Sequence, residues 1–147
     1  MPTQTKKPYE IRERTFLFAC DVTRAALKLR THGTIAGALS VQLVSAAVSA
    51  ASNLEEADDA SSDRDFRAKE RISLRELKEA RLRLRVLLAA ELLPSTAEPL
   101  VQESTELVKI VATIIRNNVL KRNATLAGTV VLMFLVGFGV WDLGFGF

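Results

Sequence analysis

A run without glycine or proline, residues 63–93, constrains the fold of this chain more than any other feature. Inside it, arginine and leucine alternate in ARLRLRV, a pattern that would suit a half-buried strand. When successive residues are placed about 100° apart, however, the apolar residues gather on one face and the cations gather largely opposite. The apolar face comprises Phe66, Ser73, Leu77, Ala80, Leu84 and Leu88. The pattern therefore predicts one long amphipathic helix and excludes a strand.

The cations opposite this apolar face form a candidate nucleic-acid surface. Basic residues along one helix face attract a phosphate backbone through counterion release, without reading its sequence. A solvated face whose charges pair with nearby acids is the alternative, and the sequence leaves both open. Aromatic residues are missing from this face, so base readout is not expected. The seven candidates are Arg64, Arg67, Arg71, Arg75, Lys78, Arg81 and Arg85.

Three further helices are predicted, because apolar residues recur every three or four positions elsewhere in the chain. The first covers residues 10–29, with either Thr15 or Phe16 facing the core at one turn, and Gly33 ends it. The second covers residues 35–60 with Thr34 as its N-cap, and its small side chains favour the most crowded position in a bundle. The fourth begins with a capping-box pattern, Ser95 to Glu98, and runs to about residue 122.

Four long helices with short connections favour an all-α fold, an up-and-down antiparallel four-helix bundle with an extra apolar C-terminal segment. The expected domains are an N-terminal arm at residues 1–9, the bundle at 10–123 and the tail at 124–147. With 48% hydrophobic and 25% charged residues, the chain has the composition of a folded protein. The net charge of +3 is too small for a general polycation.

The tail differs sharply from the rest of the chain. It holds five of the seven glycines, four of the seven phenylalanines and one charge, Asp142. Its uncharged run, residues 126–141, would be about 24 Å long as a helix, against a hydrocarbon core of about 30 Å. We expect the tail either to enter a membrane or to self-associate, as a shared apolar plug or a joint between two assemblies. The candidate residues are Leu126, Val130, Phe134, Phe138 and Trp141.

No catalytic, metal or cofactor site is predicted. The acidic residues within 55–65 lack the histidines of a di-metal bundle, because the one histidine, His32, lies in a predicted loop. Cys20 is the one cysteine and has no companion histidine at a readable spacing, so we expect a structural thiol. No phosphate-binding glycine loop or nucleophile elbow occurs. These observations favour a non-enzymatic interaction protein without a small-molecule substrate.

The expected compartment is the cytoplasm. The first residues, MPTQTKKPYEIRER, are polar and do not resemble a secretory signal, and a single cysteine cannot form an internal disulfide. If the tail inserts, the cytoplasmic face of the inner membrane is the alternative.

Four segments carry a resemblance to a known family: KPYEIRERTFLFA, LEEADDASSDRDF, ISLRELKEARLRLRVL and ESTELVKIVATIIRN. Together they resemble the four-helix bundle proteins of bacterial 23S rRNA intervening sequences, over residues 7–123. The resemblance implies a homopentameric ring and no established biochemical activity. Distant relatives of this family are accessory proteins of diversity-generating retroelements, which bind a reverse transcriptase and nucleic acid. The family segment RSGTSIGANVEEA is SAAVSAASNLEEA in this chain, and the tail has no counterpart in the family.

Overall fold

The computed structural model describes residues 11–29 and 32–140, apart from the side chains of residues 121, 128 and 130–140. Four α-helices form within them: α1 (Ile11–Leu29), α2 (Thr34–Asp58), α3 (Asp63–Ala89) and α4 (Glu98–Val140). A short 3₁₀ turn, Ser95–Ala97, precedes α4. The all-α four-helix bundle expected from the sequence is confirmed. The N-terminal arm and Trp141 lie outside the described residues.

The second helix, α2, is the central helix, because it packs closely against both α1 and α3. Small side chains permit this, since they let neighbouring helix backbones approach each other. The hydroxyl of Ser73 on α3 reaches the backbone of α2 and donates a hydrogen bond of 2.8 Å to the carbonyl of Ala50. The crowded position predicted for this helix is confirmed. Its buried residues are Ala36, Ser40, Leu43, Ala46, Ala47, Ala50, Ala51, Leu54 and Ala57.

Both α1 and α3 run antiparallel to α2. Arg12 at the start of α1 forms an ion pair with Asp58 at the end of α2. Lys69 near the start of α3 pairs with Glu56, also near the end of α2. The Ser73 bond to Ala50 lies further along α3 and further back along α2, as antiparallel helices require.

The connection between α1 and α2 differs in detail from the prediction. Gly33 occupies the N-cap position of α2 and Thr34 is the first helical residue, so the prediction of Thr34 as the cap was wrong. The physical reason is the backbone at Gly33, where φ is 98°. L side chains rarely adopt this conformation, and glycine adopts it without steric cost.

The third helix is capped at both ends. At its start, the Ser62 hydroxyl accepts a hydrogen bond from the backbone N–H of Asp65 at 3.2 Å. At its end, the N–H of Leu92 donates to the carbonyl of Leu87 at 2.9 Å, and the N–H of Glu91 donates to Leu88 at 3.0 Å.

These last two bonds form a Schellman motif, whose left-handed residue here is Glu91 with φ 56°. The predicted end at residue 93 was therefore four residues too late, because no glycine marks the stop.

The fourth helix is longer than predicted, since it continues to Val140 and not to about residue 122. No proline follows Pro99, so nothing in the apolar run removes a helical hydrogen bond. The chain divides into two compact units whose boundary lies inside this helix, between Thr113 and Ile114. In the first unit, α4 buries Ser104, Leu107, Val108 and Val111.

Arg14 of α1 contacts the beginning of α4 within the first unit, through two hydrogen bonds to Glu103 of 2.6 and 2.9 Å. This contact raises the pKa of Arg14, chiefly through the hydrogen bond to the Glu103 carboxylate.

One helix among the described residues is long and apolar enough to span a membrane, and it is α2, with a mean hydropathy of 1.6 over its most apolar window. Core helices of bundles meet the same criteria. The close packing of α2 against α1 and α3 therefore explains its apolar composition without a membrane.

Candidate nucleic-acid interface

The third helix positions the predicted cations by burying its opposite face. That face comprises Glu70, Ser73, Leu77, Ala80, Leu84 and Leu87. Four of the six predicted core positions are confirmed, whereas Phe66 and Leu88 are only half-buried. Because Leu77 and Leu84 are completely buried, α3 is held in one rotation about its axis.

Four of the seven candidate cations are exposed and share a simple spacing. Residues seven apart on a helix lie about 10.5 Å apart along its axis, on nearly the same side. Within residues 11–29 and 32–140, none of the four forms a salt bridge. We call this set the cation row; it comprises Arg64, Arg71, Lys78 and Arg85.

The other three candidates differ from the cation row. Arg67 lies 3.6 Å from Asp63, and its side chain is only 18% exposed. Arg75 is exposed but contacts Glu76 at 2.8 Å, a hydrogen bond that raises the pKa of the guanidinium. Arg81 is half-buried. The structure thus divides the predicted set into an unpaired row and three flanking residues.

Part of the acidic cluster is neutralised inside the chain. Lys69 donates a hydrogen bond to Glu56, which lowers the pKa of that carboxyl group, and the hydroxyl of Ser52 lowers it further. Asp58 pairs with Arg12. Among the residues that the structure describes, no group of three or more His, Cys, Asp or Glu side chains could hold a metal ion.

An apolar groove at the end of the cation row was missed by the sequence analysis. It has a volume of about 920 Å³, lies between the end of α3 and the start of α4, and is lined by Leu82, Arg85 and Val86 among others. Leu82 is 58% exposed and Val86 is 44% exposed. Periodicity placed apolar residues on more than one side of α3, but it could not tell which side the bundle covers.

The candidate residues of the tail are described only in part. Leu126 is 56% exposed. Val130, Phe134 and Phe138 belong to α4, but their side chains lie outside the described part of the structure, as does the whole of Trp141. Spacing of four residues places the first four candidates on roughly one side of the helix.

The fold is therefore that of a small all-helical bundle with a basic outer helix face. Residues 7–113 match the family model of the 23S rRNA-intervening sequence protein, and the chain belongs to this family. The match ends at Thr113, where the first compact unit also ends. The resemblance inferred from the sequence is confirmed.

A solved structure supports the same assignment. It is a protein with unknown function from the S23 ribosomal protein family of Bacteroides thetaiotaomicron, and it shares 26% sequence identity with this chain. The TM-score is 0.66, and the alignment covers 72% of this chain and 98% of that one. No curated protein matches the chain.

Proposed function

We propose that this protein is a non-enzymatic, self-assembling scaffold or adaptor that holds RNA or DNA along the cation row. The observation that carries the proposal is the row itself, four exposed cations without an acid partner among the described residues. A helix face that only contacts solvent does not require four cations at regular spacing without acid partners. Arg24 and Lys109, exposed cations elsewhere in the first unit, have acids beside them. Arg116 and Arg122 on α4 are also exposed and form no salt bridge among the described residues, but they are not members of a row with seven-residue spacing.

The row is suited to a phosphate backbone and not to bases. Each cation that approaches a phosphate releases condensed counterions, which supplies affinity that is independent of sequence. The buried face of α3 keeps the four positions at fixed spacing, so little order is lost on binding. Aromatic side chains that could stack on bases do not occur between Arg64 and Arg85, apart from the half-buried Phe66.

Self-assembly would strengthen this binding. The family resemblance implies a homopentameric ring, which would present several rows to one polymer. A second row on the same assembly binds at high effective concentration, so weak contacts add up to useful avidity. Light scattering on the full-length chain tests this part, and a monodisperse monomer at micromolar concentration would contradict it.

The row is tested by substituting its four members, Arg64, Arg71, Lys78 and Arg85, together by Gln. A matched control replaces four exposed cations elsewhere, Arg24, Lys109, Arg116 and Arg122, by Gln, so both variants lose four positive charges. We expect the first variant to lose binding to duplex DNA or RNA at low salt and the control to retain most of it. Equal loss in both would show that overall charge is sufficient, and retained binding in the first would reject the row.

Membrane attachment through the tail is a second candidate function, and the continuation of α4 as a helix to Val140 favours it. Residues 124–140 of this helix carry no charge, and Lys121 and Arg122 precede them. The positive-inside tendency would keep the bundle in the cytoplasm, at the inner membrane, with the chain end outside. In the scaffold proposal the protein is cytoplasmic, and the tail packs with other tails as a plug or joins two assemblies.

Removal of residues 124–147 distinguishes insertion of the tail into a membrane from association between tails. If the full chain requires detergent and enters liposomes while the shortened chain stays soluble, the tail is a membrane segment. If the full chain is soluble and its assembly is larger than that of the shortened chain, the tails associate. A soluble full chain with the same assembly number as the shortened chain would reject both.

A further inference from the structure

The apolar groove between the end of α3 and the start of α4, which we call the α3–α4 groove, adjoins the cation row. Arg85 belongs to both, because it is the last cation of the row and also lines the groove. Leu82 is another lining residue, and it follows Lys78 by four residues and precedes Arg85 by three. Both spacings place side chains on the same face of a helix. The apolar lining of the groove therefore begins between the last two cations of the row.

Apolar and acidic side chains share the lining of this groove. Leu82 is 58% exposed and Val86 is 44% exposed, whereas Leu93, which also lines the groove, is buried. Glu91 in the connection after α3 and Glu98 at the start of α4 are exposed lining residues, and neither forms a salt bridge within the described part of the chain. Because an ionised carboxylate only accepts hydrogen bonds, the groove offers an apolar surface with hydrogen-bond acceptors beside it.

This combination fits a nucleobase that is not paired in a duplex. The groove has a volume of about 920 Å³, within the range of roughly 300–1,000 Å³ that is usual for small-molecule sites, so it is large enough for one base. A base has two flat faces, which apolar side chains can cover, and a polar edge, which forms hydrogen bonds. Glutamate is a suitable partner for an amino group on that edge, as in its contact with N4 of cytosine.

We propose that the α3–α4 groove binds one unpaired base with an exocyclic amino group, belonging to a single strand whose phosphates lie along the cation row. This rests on the nucleic-acid binding proposed above and adds its substrate class, single-stranded nucleic acid. A backbone that contacts Lys78 and Arg85 carries its bases past Leu82. A duplex keeps its bases stacked inside and therefore contacts the row alone. A peptide helix would cover the same apolar side chains, but it has no need of the adjoining cations.

Cytosine and uracil distinguish the contribution of the groove from that of the row. Oligonucleotides made from either base carry the same backbone charge, so the row attracts both equally. Cytosine presents its N4 amino group where uracil presents the O4 carbonyl. A carboxylate accepts a hydrogen bond from the amino group and repels the carbonyl oxygen, so uracil in the groove would set O4 against Glu98. A preference for cytosine over uracil is therefore expected from the groove and not from the row.

The test measures binding of labelled oligocytidine and oligouridine to the full-length chain, by fluorescence anisotropy at neutral pH and about 50 mM salt. Oligonucleotides of about 12 nucleotides are suitable, since single-strand sites occupy roughly 4–16 nucleotides. We expect oligocytidine to bind at least about fivefold more tightly than oligouridine.

Glu98→Gln should bring the two affinities close together, because an amide can also donate a hydrogen bond to the uracil carbonyl. Glu55→Gln is the matched control. It removes the same charge from an exposed glutamate that lies outside the groove and forms no salt bridge among the described residues, so it should keep the wild-type ratio of affinities.

The apolar lining is tested by Leu82→Gln, which removes apolar surface and changes no charge. It should weaken oligocytidine binding at least about threefold, because the base then buries less apolar surface. Leu27→Gln is its control, since Leu27 is also 58% exposed but lies outside the groove. Circular dichroism should show the wild-type helical content in all four variants.

Equal affinity of the wild type for the two oligonucleotides would overturn the base site. So would a preference for oligocytidine that Glu98→Gln leaves unchanged, equal effects of Leu82→Gln and Leu27→Gln, or binding of duplex DNA but of neither oligonucleotide. In these cases the binding of phosphates by the cation row still stands. If neither duplex DNA nor the oligonucleotides bind, the proposed nucleic-acid function fails as well.

Discussion

Ser73 on α3 donates a hydrogen bond of 2.8 Å to the backbone carbonyl of Ala50 on α2, and both residues are completely buried. A serine can reach a neighbouring helix backbone only where the two helices approach closely. The alanines and serines of α2 provide that approach. This bond therefore marks a close approach of α2 and α3 inside the core and helps to fix the register between the two helices.

Ser73→Ala should cost about 1 kcal/mol in the free energy of unfolding, the usual value of one hydrogen bond. Ser73→Leu should cost about 1–3 kcal/mol or more, because no space exists for the added methyl groups. Denaturant melts measure both. Ser45→Ala is the control, since Ser45 lies on the exposed side of α2, and its unfolding midpoint should not fall.

Leucines on opposite sides of α3 should respond very differently to truncation. Leu77→Ala and Leu84→Ala should each cost about 2–5 kcal/mol, because both side chains are completely buried. Leu82→Ala should change the stability of the folded chain by less than about 0.5 kcal/mol, since Leu82 is exposed. Leu84→Asp should unfold the bundle. Similar losses at Leu82 and Leu84 would show that the buried face of α3 is assigned wrongly.

The end of α3 contains strain that a single substitution can remove. Glu91 has φ 56°, a left-handed conformation that costs an L residue about 1 kcal/mol and costs glycine little. Glu91→Gly should therefore raise the free energy of unfolding by up to about 1 kcal/mol. Glu91→Ala keeps the strain and should give no such gain, so a rise in both variants would point to the lost charge instead.

The sequence predicted the four helices, because strong apolar periodicity is a local signal. The predicted capping box was wrong, since Ser95 begins a 3₁₀ turn that has no side-chain cap. The sequence could not decide between Thr15 and Phe16 in α1, where Thr15 is completely buried and Phe16 is 51% exposed. The threonine hydroxyl donates to the carbonyl of Ile11, so burial leaves it satisfied. A hydrophobicity pattern does not contain that information.

The candidate interface was predictable only as a whole. Helical spacing identified seven cations on one face, and the i,i+4 spacing of Asp63 and Arg67 is a local signal for their pairing. The burial of Arg67 and Arg81 depends instead on how α3 packs. Likewise, the groove lined by Leu82 depends on how the end of α3 and the start of α4 meet. Such features arise from packing between helices, which the pattern of a single sequence does not reveal.

Acid should weaken the link between α2 and α3. Glu56 has a lowered pKa because Lys69 donates a hydrogen bond to it. Its contribution to the free energy of unfolding is therefore fully present above the normal glutamate pKa of about 4.3. As pH falls through the lowered pKa, the carboxylate is protonated and the contribution is lost. Lys69→Met should lower the melting temperature at pH 7 and leave it close to wild type in acid, once the Glu56 carboxylate is protonated in both proteins. A constant difference at all pH values would exclude the ion pair as its cause.

The proposal that the cation row binds nucleic acid is tested most directly by the salt dependence of duplex DNA binding by the full-length protein. Four phosphate contacts per protomer predict that log K falls against log salt with a slope of about −3 to −4 for each bound protomer. Substituting Arg71 and Lys78 by Gln should reduce the slope by about 2. Absence of binding at about 50 mM salt, or a slope that the two substitutions leave unchanged, would contradict the assignment of the cation row to nucleic acid.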